Sequence, residues 1–500
     1  MKVVVYLPRM GYATGEMPHL RKPPKNYMPG QNLYYLFTAC KNLGHQTKVI
    51  DGNWSSDPVK EILDFNPDKI LISSTTPCFE DALNITEKLS ETRYYGEIYI
   101  GGPHVNLNTS SREFLLPKSR NIIYTPIKSS FTTFDWVPQV FPEQSIFEVL
   151  GLPKDDAQKF ILENINDKQI LSTDELEPYI FSLFKPEFKW INDTYNPPDI
   201  VSTMQGVEIR YSIITSIGCS NSCSFCGNPF IYKINFKSEK VIRDILTEYK
   251  LNNINRLSVH DMFFFMSIKH AKMVINLFKE FNMDFSIQTC LENLNEELMD
   301  DLADANVKRV LIGIENPFSK TLDKKVDLNK VFRLLDHADK LKLQDCFKLS
   351  YIVGLPDISL ANDLSLIRHI VTKIKKRNLP LTNLQVNLYT PYRPDPNKIY
   401  IKYEDKNPSN KSKNTIFILT KLSYTYWGLL PVGIGSEKDL TIQMTLCDIV
   451  YNEIYSEFKV KYLQIREKYL NDLAKSYPDL INNIPSFQES LRTYYESLVV

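Results

Sequence analysis

Short apolar runs and amphipathic stretches alternate along the first hundred residues of the chain. The runs are rich in Val, Ile and Tyr, and the stretches between them place apolar residues at helical spacing. This pattern predicts a parallel, doubly wound (Rossmann-like) α/β sheet over residues 1–108. The predicted strands are Lys2–Pro8, Gln46–Asp51, Lys69–Thr76 and Glu97–Gly102, and the predicted helices are Gln31–Leu43, Val59–Phe65 and Phe79–Thr92.

The alternation returns at a steadier spacing between residues 206 and 393. Strand signals separated by amphipathic helices predict a partial (β/α)6 barrel, in which the carboxyl ends of all the strands would share one rim. The predicted strands are Glu208–Ile217, Arg256–Asp261, Asp284–Thr289, Arg309–Glu315, Lys348–Pro356 and Asn383–Pro391. The predicted helices are Glu239–Lys250, Ile268–Phe281, Glu296–Ala305, Leu328–Leu341 and Asn362–Lys376.

Two stretches follow neither pattern. Residues 109–205 contain Pro- and Asn-rich segments and predict a bridging segment with one helix, Asp155–Asn164. Residues 394–500 predict a helical C-terminal region that caps the barrel, with helices over Asp448–Tyr469 and Ser486–Leu498.

Charge and hydropathy exclude two classes of partner. The 500 residues include 59 Lys and Arg against 59 Asp and Glu, so the formal net charge is zero and favours neither nucleic acid nor an anionic membrane surface. The most apolar stretch, residues 416–435, is interrupted by Lys421 and Pro431, which indicates a buried segment rather than a membrane span. We therefore expect no nucleic-acid or membrane partner.

Three cysteines carry the strongest chemical signal in the chain. Cys219, Cys223 and Cys226 follow a β-rich run in the pattern C-x-x-x-C-x-x-C. Three thiolates in one loop can hold a cubane iron–sulfur cluster and leave its fourth iron open. A zinc site would need a fourth ligand, and the next Cys or His, His260, is far along the chain; unrelated thiols are the remaining alternative. Free thiols and a reducible cluster both indicate the cytoplasm.

Polar or reactive residues also stand at the ends of the other predicted barrel strands, where barrel enzymes place their chemistry. Asp261 ends the second strand, Cys290 follows the third and Glu315 ends the fourth. The Cys290 thiol has two interpretations: a catalytic group that donates a hydrogen atom or attacks an electrophilic methyl group, or a small buried apolar residue.

The two repeats together resemble cobalamin-dependent radical S-adenosylmethionine enzymes. The cysteine loop with Phe225 before its last cysteine is similar to the cluster loop of that family. Further barrel segments that resemble family landmarks are residues 236–244, His260–Phe264, Leu311–Pro317 and Ile352–Pro356. The segments that resemble its cobalamin-binding domain are Met28–Gly30, Gly44–Asp51, Ile70–Pro77 and Ile100–His104.

The resemblance implies a [4Fe-4S] cluster on Cys219, Cys223 and Cys226, whose open iron takes the amino and carboxylate groups of S-adenosylmethionine. Reduction would then cleave S-adenosylmethionine to a 5′-deoxyadenosyl radical. Among the residues implied to bind this substrate, Asp261 would neighbour its amino group and Glu315 its methionyl or ribose portion. Phe225 and Ile352 would lie beside the adenine.

The resemblance also implies cobalamin at the strand ends of residues 1–108. The residues implied for it are Asp51, Ser73, Ser74, Thr75, Thr76, Gly101, Gly102, Pro103 and His104. The chain departs from the wider family in two ways, because it has neither a D-x-H-x-x-G motif nor an acidic G-E-G-E run. No histidine ligand for the lower face of cobalamin can therefore be assigned.

These observations lead us to expect a methyltransferase that acts on an unactivated carbon of a small-molecule or peptide substrate. An electron donor such as flavodoxin or ferredoxin would reduce the cluster. The alternative is a radical cyclisation, rearrangement or oxidation in which cobalamin carries no methyl group or is absent. A third class, a scaffold or electron carrier that bears a cluster, is disfavoured by the polar residues of the rim.

Overall fold

The structure is a computed structural model that consists of two compact units. One comprises Met1–Ser220, Asn228–Met262 and Glu280–Met283, and the other comprises Asn221–Gly227, Phe263–Lys279 and Asp284–Val500. The structure describes all residues except 10–25, 28–32, 34–35, 38–39, 42, 76–77, 93, 102–121, 125–207, 210, 222, 224–225, 227–233, 320–325, 356, 378, 380–382, 390–398, 401–414, 419–429, 431–432, 435–436, 477 and 498–500.

A five-stranded parallel sheet forms the N-terminal part of the first unit. The strands are β1 (Lys2–Leu7), β2 (Gln46–Asp51), β3 (Lys69–Ser73), β4 (Glu97–Gly101) and β5 (Ile122–Tyr124), and the helices are α1 (Pro58–Phe65) and α2 (Phe79–Ser90). The strands pair in the order β2-β1-β3-β4-β5. This is the flavodoxin-like order of doubly wound folds, in which ligands bind beyond the carboxyl ends of β1 and β3, where the winding direction reverses.

The sequence predicts four of these strands and both helices to within a few residues. Val3, Val4 and Val5 are fully buried, as are Ile70 to Ile72, because a central parallel strand is covered on both faces and must be apolar throughout. The described residues of the predicted helix 31–43 are also helical, except Leu43, which lies in a turn. Strand β5 lies within the stretch predicted to be a bridge, so the sheet extends past residue 108; the helix predicted at Asp155–Asn164 lies outside the described residues.

Six β-strands with helices between them form the barrel repeat. The strands are β6 (Tyr211–Ile213), β7 (Arg256–Val259), β8 (Asp284–Cys290), β9 (Val307–Glu315), β10 (Phe347–Val353) and β11 (Leu384–Leu388). Strands β6 and β7 pair in parallel, and β8 to β11 pair in parallel in chain order. The helices are α3 (Glu239–Leu251), α4 (Ile268–Glu280), α5 (Glu296–Asp304), α6 (Leu328–Lys340) and α7 (Leu360–Lys376). The predicted α/β fold with a partial (β/α)6 barrel is confirmed.

The first barrel strand is shorter than predicted. Residues 208–217 do not form one strand but three pieces, Glu208–Ile209, β6 and Ser216–Ile217. The last piece pairs antiparallel with Asn235–Phe236, so a short two-stranded ribbon brackets the segment that contains the cysteines. Further short strands are Asn26–Tyr27, Ile399–Tyr400, Thr415–Ile418 and Gly433–Ile434.

Three helices form the C-terminal region: α8 (Glu437–Glu453), α9 (Lys459–Ser476) and α10 (Phe487–Glu496). The helix predicted over Asp448–Tyr469 is wrong, because a 3₁₀ turn at Ser456–Phe458 separates α8 from α9. The Tyr455 hydroxyl accepts a hydrogen bond of 2.9 Å from the N–H of Val386 in β11. This contact with a barrel strand favours the break between α8 and α9. The helix predicted over Ser486–Leu498 is confirmed, with a capping box at Ser486 and Glu489.

The C-terminal helices are linked by one buried carboxylate, Asp448. It accepts hydrogen bonds from Tyr462, Arg466 and Ser490 at 2.5 to 3.0 Å. Among the helices that the structure describes, none combines the length and apolar character needed to cross a bilayer.

Candidate active site

The cysteine loop begins at a glycine. Gly218 has a φ of 86°, a left-handed conformation that costs glycine little, and Cys219 follows it directly. Cys223 is buried and Cys219 and Cys226 are half-buried, and none of the three is in a disulfide. The N–H of Cys226 donates to the carbonyl of Cys223 at 3.1 Å, which makes a tight turn between these two thiols. Phe225 lies outside the described residues.

The donor set of this loop fits an iron–sulfur cluster. Three thiols within eight residues, none of them in a disulfide, match the thiolate ligands of a cubane cluster and leave one iron open. No three His, Cys, Asp or Glu side chains are grouped as a metal site within the described part of the chain. Binding of a metal and the final arrangement of its ligands are coupled. The support for a cluster here is therefore the spacing of the three cysteines and the absence of a disulfide among them.

Asp261, two residues past β7, holds the segment that leads into the cysteine loop. The carboxylate is buried and accepts the N–H of Thr215 at 2.6 Å, the Thr215 hydroxyl at 2.5 Å and the Ser216 hydroxyl at 2.8 Å. Thr215 and Ser216 stand three to four residues before Cys219. The structure therefore connects the end of β7 to the start of the cysteine loop through one carboxylate.

The surroundings of Asp261 are dry. Burial raises the pKa of Asp261, although its hydrogen bonds from Thr215 and Ser216 oppose the shift. Burial lowers the pKa of Lys237 to about 8, against the attraction of the Asp261 carboxylate. Burial also lowers the pKa of His260 to about 4, so this imidazole is neutral at pH 7. Charged groups in such a site interact strongly because little water screens them.

Glu315, at the end of β9, has an unusual backbone. Its φ is 57°, and the pairing of β9 with β10 shifts register between Gly313 and Glu315. The side chain is buried and folds back over Gly313, where an added Cβ would lie 2.6 Å from Oε1 of Glu315. A left-handed non-glycine residue costs of order 1–3 kcal/mol, and such strain is concentrated at functional sites.

Ile352, in β10, lies in a small apolar cluster with Leu355 and Ile358, and Tyr389 packs against it. The turn that follows contains Gly354, whose φ is 76°. Helix α8 approaches this glycine closely, because an added Cβ would lie 3.2 Å from Cγ of Gln443. Helix α8 of the C-terminal region thus packs against the turn after β10.

Cys290 is the last residue of β8 and is buried. Asn221, from the cysteine loop, directs its Nδ2 at the Cys290 sulfur at 3.7 Å. The structure therefore brings this thiol to the cysteine loop, which its place in the sequence alone does not establish.

The strand ends of the N-terminal sheet present small polar residues. Asp51 is buried and accepts from the N–H and the side chain of Asn53. Ser73 and Ser74 are buried, the N–H of Ser74 donates to the carbonyl of Gly101 at 2.8 Å, and Thr75 is exposed. The predicted residues Thr76, Gly102, Pro103 and His104 lie outside the described residues.

Sequence reasoning missed a polar network where the winding of this sheet reverses. Asp81, in α2, accepts from the hydroxyl of Tyr6 at 2.6 Å and from the N–H of Arg9 at 2.7 Å. The Arg9 guanidinium donates to the carbonyls of Gly52 and Ser55. The signal for it in the sequence was a tyrosine and an arginine at the end of a strand that is otherwise Val-rich.

Most of the barrel repeat is similar to a known protein family. The profile of the Radical SAM superfamily matches residues 213–368. The "Uncharacterized methyltransferase PH0819" of Pyrococcus horikoshii is 22% identical over 377 residues, which cover 71% of this chain and 75% of that protein. The "Cytidylyl-2-hydroxyethylphosphonate methyltransferase" of Streptomyces wedmorensis is 24% identical over 32% of this chain and 31% of its own length.

A solved structure shares the fold over most of the chain. The radical S-adenosylmethionine methyltransferase TsrM of Kitasatospora setae, solved with cobalamin and a [4Fe-4S] cluster bound, superposes with a TM-score of 0.52. The match is 14% identical and covers 78% of this chain and 76% of that protein. The family profile spans β6 to the first half of α7, which includes the three cysteines, Asp261, Glu315 and Ile352. The chain is therefore an enzyme whose residues 213–368 match the Radical SAM superfamily.

Proposed function

We propose that the chain is a cobalamin-dependent radical S-adenosylmethionine methyltransferase that acts on an unactivated carbon. The observation that carries this proposal is the union, in one chain, of a flavodoxin-order sheet with a radical SAM barrel and its three-cysteine loop. Both sequence relatives described above are named as methyltransferases, and the structural relative was solved with cobalamin bound, which supports the same function.

The proposed domains follow the predicted boundaries. Residues 1–108 bind cobalamin, 109–205 bridge, 206–393 form the radical SAM barrel and 394–500 cap it. Strand β5 belongs to the first of these sheets although it lies past residue 108.

Cys219, Cys223 and Cys226 hold the cluster in this proposal. Asp261 fixes the segment before Cys219 and receives the amino group of S-adenosylmethionine. Glu315 receives the methionyl or ribose portion, and Phe225 and Ile352 enclose the adenine. Ile352 suits this role because it belongs to an apolar cluster at the end of its strand.

Cobalamin lies on the strand ends of the N-terminal sheet. Small residues such as Ser73, Ser74 and Gly101 allow a large planar ligand to approach the backbone closely. The other residues proposed to line this site are Asp51, Thr75, Thr76, Gly102, Pro103 and His104.

When bound, the cluster and S-adenosylmethionine supply an organic radical, and cobalamin supplies a methyl group. The residues of the chain bind and orient these groups and exclude water from the radical. The Cys290 thiol, buried beside the cysteine loop, is the proposed hydrogen-atom donor or methyl acceptor. Flavodoxin or ferredoxin is the proposed source of electrons, and a small molecule or peptide is the proposed substrate.

The test is purification without oxygen from cells supplied with cobalamin, followed by quantification of iron, sulfide and corrinoid. The purified protein is then incubated with a reductant and S-adenosylmethionine that carries a deuterated methyl group. We expect four irons per chain, one corrinoid, and formation of both S-adenosylhomocysteine and 5′-deoxyadenosine, because methyl transfer and radical formation consume separate molecules of S-adenosylmethionine.

The two fates of S-adenosylmethionine separate this function from its alternative. Formation of 5′-deoxyadenosine without S-adenosylhomocysteine would support a cyclase, rearrangement or oxidation enzyme. Absence of corrinoid from a protein with a full cluster would remove cobalamin from the reaction.

A further inference from the structure

Asp363 is a buried carboxylate that has no role in the proposed function. It lies in the first turn of α7 and has no exposed surface. Its Oδ2 accepts the N–H of Gly354 at 2.9 Å, and its Oδ1 accepts from Nδ2 of Asn316 at 2.8 Å. The carboxylate therefore joins the start of one helix to the residues that follow two different strands, β9 and β10.

Asn316 is the centre of this network, because its side-chain amide both donates and accepts hydrogen bonds. Besides its bond to Asp363, Nδ2 donates to the carbonyl of Ile352 at 3.2 Å, and Oδ1 accepts the N–H of Phe318 at 3.1 Å. A flipped amide would set its NH₂ group against the N–H of Phe318 and its oxygen against the Asp363 carboxylate. Only the observed orientation satisfies all these partners.

The residue before Asn316 is the strained Glu315. A non-glycine residue in the left-handed region persists only where its surroundings hold it there. Asn316 is fully buried, and its two hydrogen bonds from Nδ2 fix the backbone directly after Glu315. A hydrogen bond to a buried carboxylate is stronger than one between neutral groups, so Asp363 contributes the strongest of these restraints.

We propose that Asp363 is a positioning residue that acts through Asn316 to hold Glu315 in its left-handed conformation, and thereby sets the affinity for S-adenosylmethionine. The inference rests on the role given to Glu315 in the proposed function. It adds that the carboxylate of Glu315 reaches its ligand only while the Asp363–Asn316 pair is intact. A network that merely stabilised the fold would affect unfolding and leave ligand affinity unchanged.

A double-mutant cycle separates these two roles. The variants are Asn316→Ala, Asp363→Asn, Glu315→Ala and the two doubles that combine Glu315→Ala with each of the others. Each is loaded with its cluster and analysed for iron and sulfide, for melting temperature and for S-adenosylmethionine affinity by calorimetry without reductant. Ser490→Ala is the matched control, because it removes a hydrogen bond to another buried carboxylate, Asp448.

We expect Asn316→Ala and Asp363→Asn each to weaken S-adenosylmethionine binding roughly tenfold, as the loss of a charge-assisted hydrogen bond would. Iron and sulfide should stay at wild-type levels. In the Glu315→Ala background neither change should weaken binding further, because the residue through which they act has gone. Ser490→Ala should lower the melting temperature and leave the affinity unchanged.

Equal weakening in the presence and absence of the Glu315 side chain would overturn the inference, as would wild-type affinity in both single variants. If Glu315→Ala itself binds normally, the role of Glu315 in the proposed function is what fails. If Asp363→Asn does not fold, the Asn316→Ala arm completes the cycle on its own, because that change leaves the carboxylate paired with the N–H of Gly354.

Discussion

Both parallel sheets of this protein have left-handed backbone ahead of their strands, but among the described residues only the barrel also has it at the carboxyl ends of its strands. In the barrel, positive φ angles occur ahead of strands, at Asn253, Asn282, Asn306 and Lys342, and also at or just after strand ends, at Gly218, Glu315 and Gly354. In the described part of the N-terminal sheet they occur before the strands, at Gly44 ahead of β2 and Asn66 ahead of β3. The strand ends of the N-terminal sheet instead carry small, buried serines in ordinary conformations.

This difference separates two ways of building a binding site. A sheet edge of small residues offers a flat surface that suits a large planar ligand. Strained residues at strand ends hold individual side chains at fixed points, as the assembly of a reactive centre requires. We therefore expect the barrel to depend on such fixed points and the N-terminal sheet to depend on an open surface.

The largest effect is expected at the cysteine loop. Changing Cys219, Cys223 or Cys226 to alanine should abolish iron and sulfide incorporation and formation of 5′-deoxyadenosine, because two thiolates cannot replace three at a cubane cluster. Colorimetric iron and sulfide assays and chromatography of the nucleoside measure both. The matched control is Cys346→Ala, a half-buried thiol that contacts the carbonyl of Val307. Full cleavage by the triple variant would show that the cluster is held elsewhere.

The next effect concerns the surface of the N-terminal sheet. Thr75 is exposed at the strand ends, so Thr75→Trp should block a planar ligand while leaving the fold intact. We expect the affinity for corrinoid, and with it the corrinoid content of the purified protein, to fall, the affinity by about a hundredfold, as when a bulky side chain obstructs an interface. Iron and sulfide content should stay unchanged. Lys88→Trp, at an exposed position of α2 in the same sheet domain, is the control. Wild-type corrinoid content in Thr75→Trp would place cobalamin elsewhere or exclude it.

A smaller effect is expected from a methyl group added beneath Glu315. The Cβ of Gly313→Ala would lie 2.6 Å from Oε1 of Glu315, and the carboxylate can move away because it is the end of a flexible side chain. S-adenosylmethionine affinity should therefore fall by roughly tenfold with little change in melting temperature. Gly44→Ala is the control with the opposite expected result, because it strains a left-handed glycine that has open space around it. It should lower the melting temperature and leave S-adenosylmethionine affinity unchanged. Unchanged affinity in Gly313→Ala would mean that the observed position of the Glu315 carboxylate is not needed.

Asp261 allows the two functions of a barrel carboxylate to be separated. An asparagine at this position can still accept the N–H of Thr215 but loses the charge, whereas alanine leaves the buried donors of Thr215 and Ser216 without this acceptor. We expect Asp261→Ala to reduce stability by about 1–3 kcal/mol and Asp261→Asn by less. If Asp261→Asn also weakens S-adenosylmethionine binding at unchanged cluster content, the carboxylate contacts the ligand; if only the melting temperature moves, it serves the segment before Cys219 alone.

The smallest effect is a dependence of stability on pH. Burial raises the pKa of Asp363 from an ordinary 3.8 to about 6, and the charge of Asp357 adds to the shift, while the hydrogen bonds from Gly354 and Asn316 oppose it. The folded state therefore favours the protonated acid, and the stability that this group contributes is greatest at low pH and is lost as the pH rises through about 6. We expect the melting temperature of the wild type, relative to Asp363→Asn, to fall by a few degrees between pH 4.5 and 7.5. Parallel melting curves for the two proteins across this range would contradict the assignment.

Local patterns predicted the elements well wherever the strand or helix is defined by its own residues. Helix α3 has its N-cap at Ser238 and was predicted to within one residue, and β10 was found from its β-rich apolar run. The break after α8 was missed because the hydroxyl of Tyr455 bonds to β11, which is distant in the sequence. The long predicted first strand failed for a similar reason, since Thr215 and Ser216 are held by Asp261.

The residues of the candidate site divide in the same way, into those that the local sequence can predict and those that depend on distant contacts. The cysteines could be recognised from spacing alone, because the ligands of a cluster loop are close in sequence. Asn316 and Asp363 could not, because they are 47 residues apart and each has an ordinary local explanation. An asparagine after a strand is typical of a turn, and an aspartate in the first turn of a helix is typical of its dipole. Only the fold shows that they bond to each other.

The short ribbon formed by Ser216–Ile217 and Asn235–Phe236 has a consequence for how the cysteine loop acquires iron. The ribbon pins both ends of the intervening segment, so this segment is a closed loop before any metal arrives. Closing a loop of this length costs a free chain on the order of 2 kcal/mol in entropy, and folding of the ribbon has already met that cost. The three thiols therefore act at a higher effective concentration than in a free peptide of the same sequence, and the folded chain is expected to capture iron and sulfide that such a peptide would release.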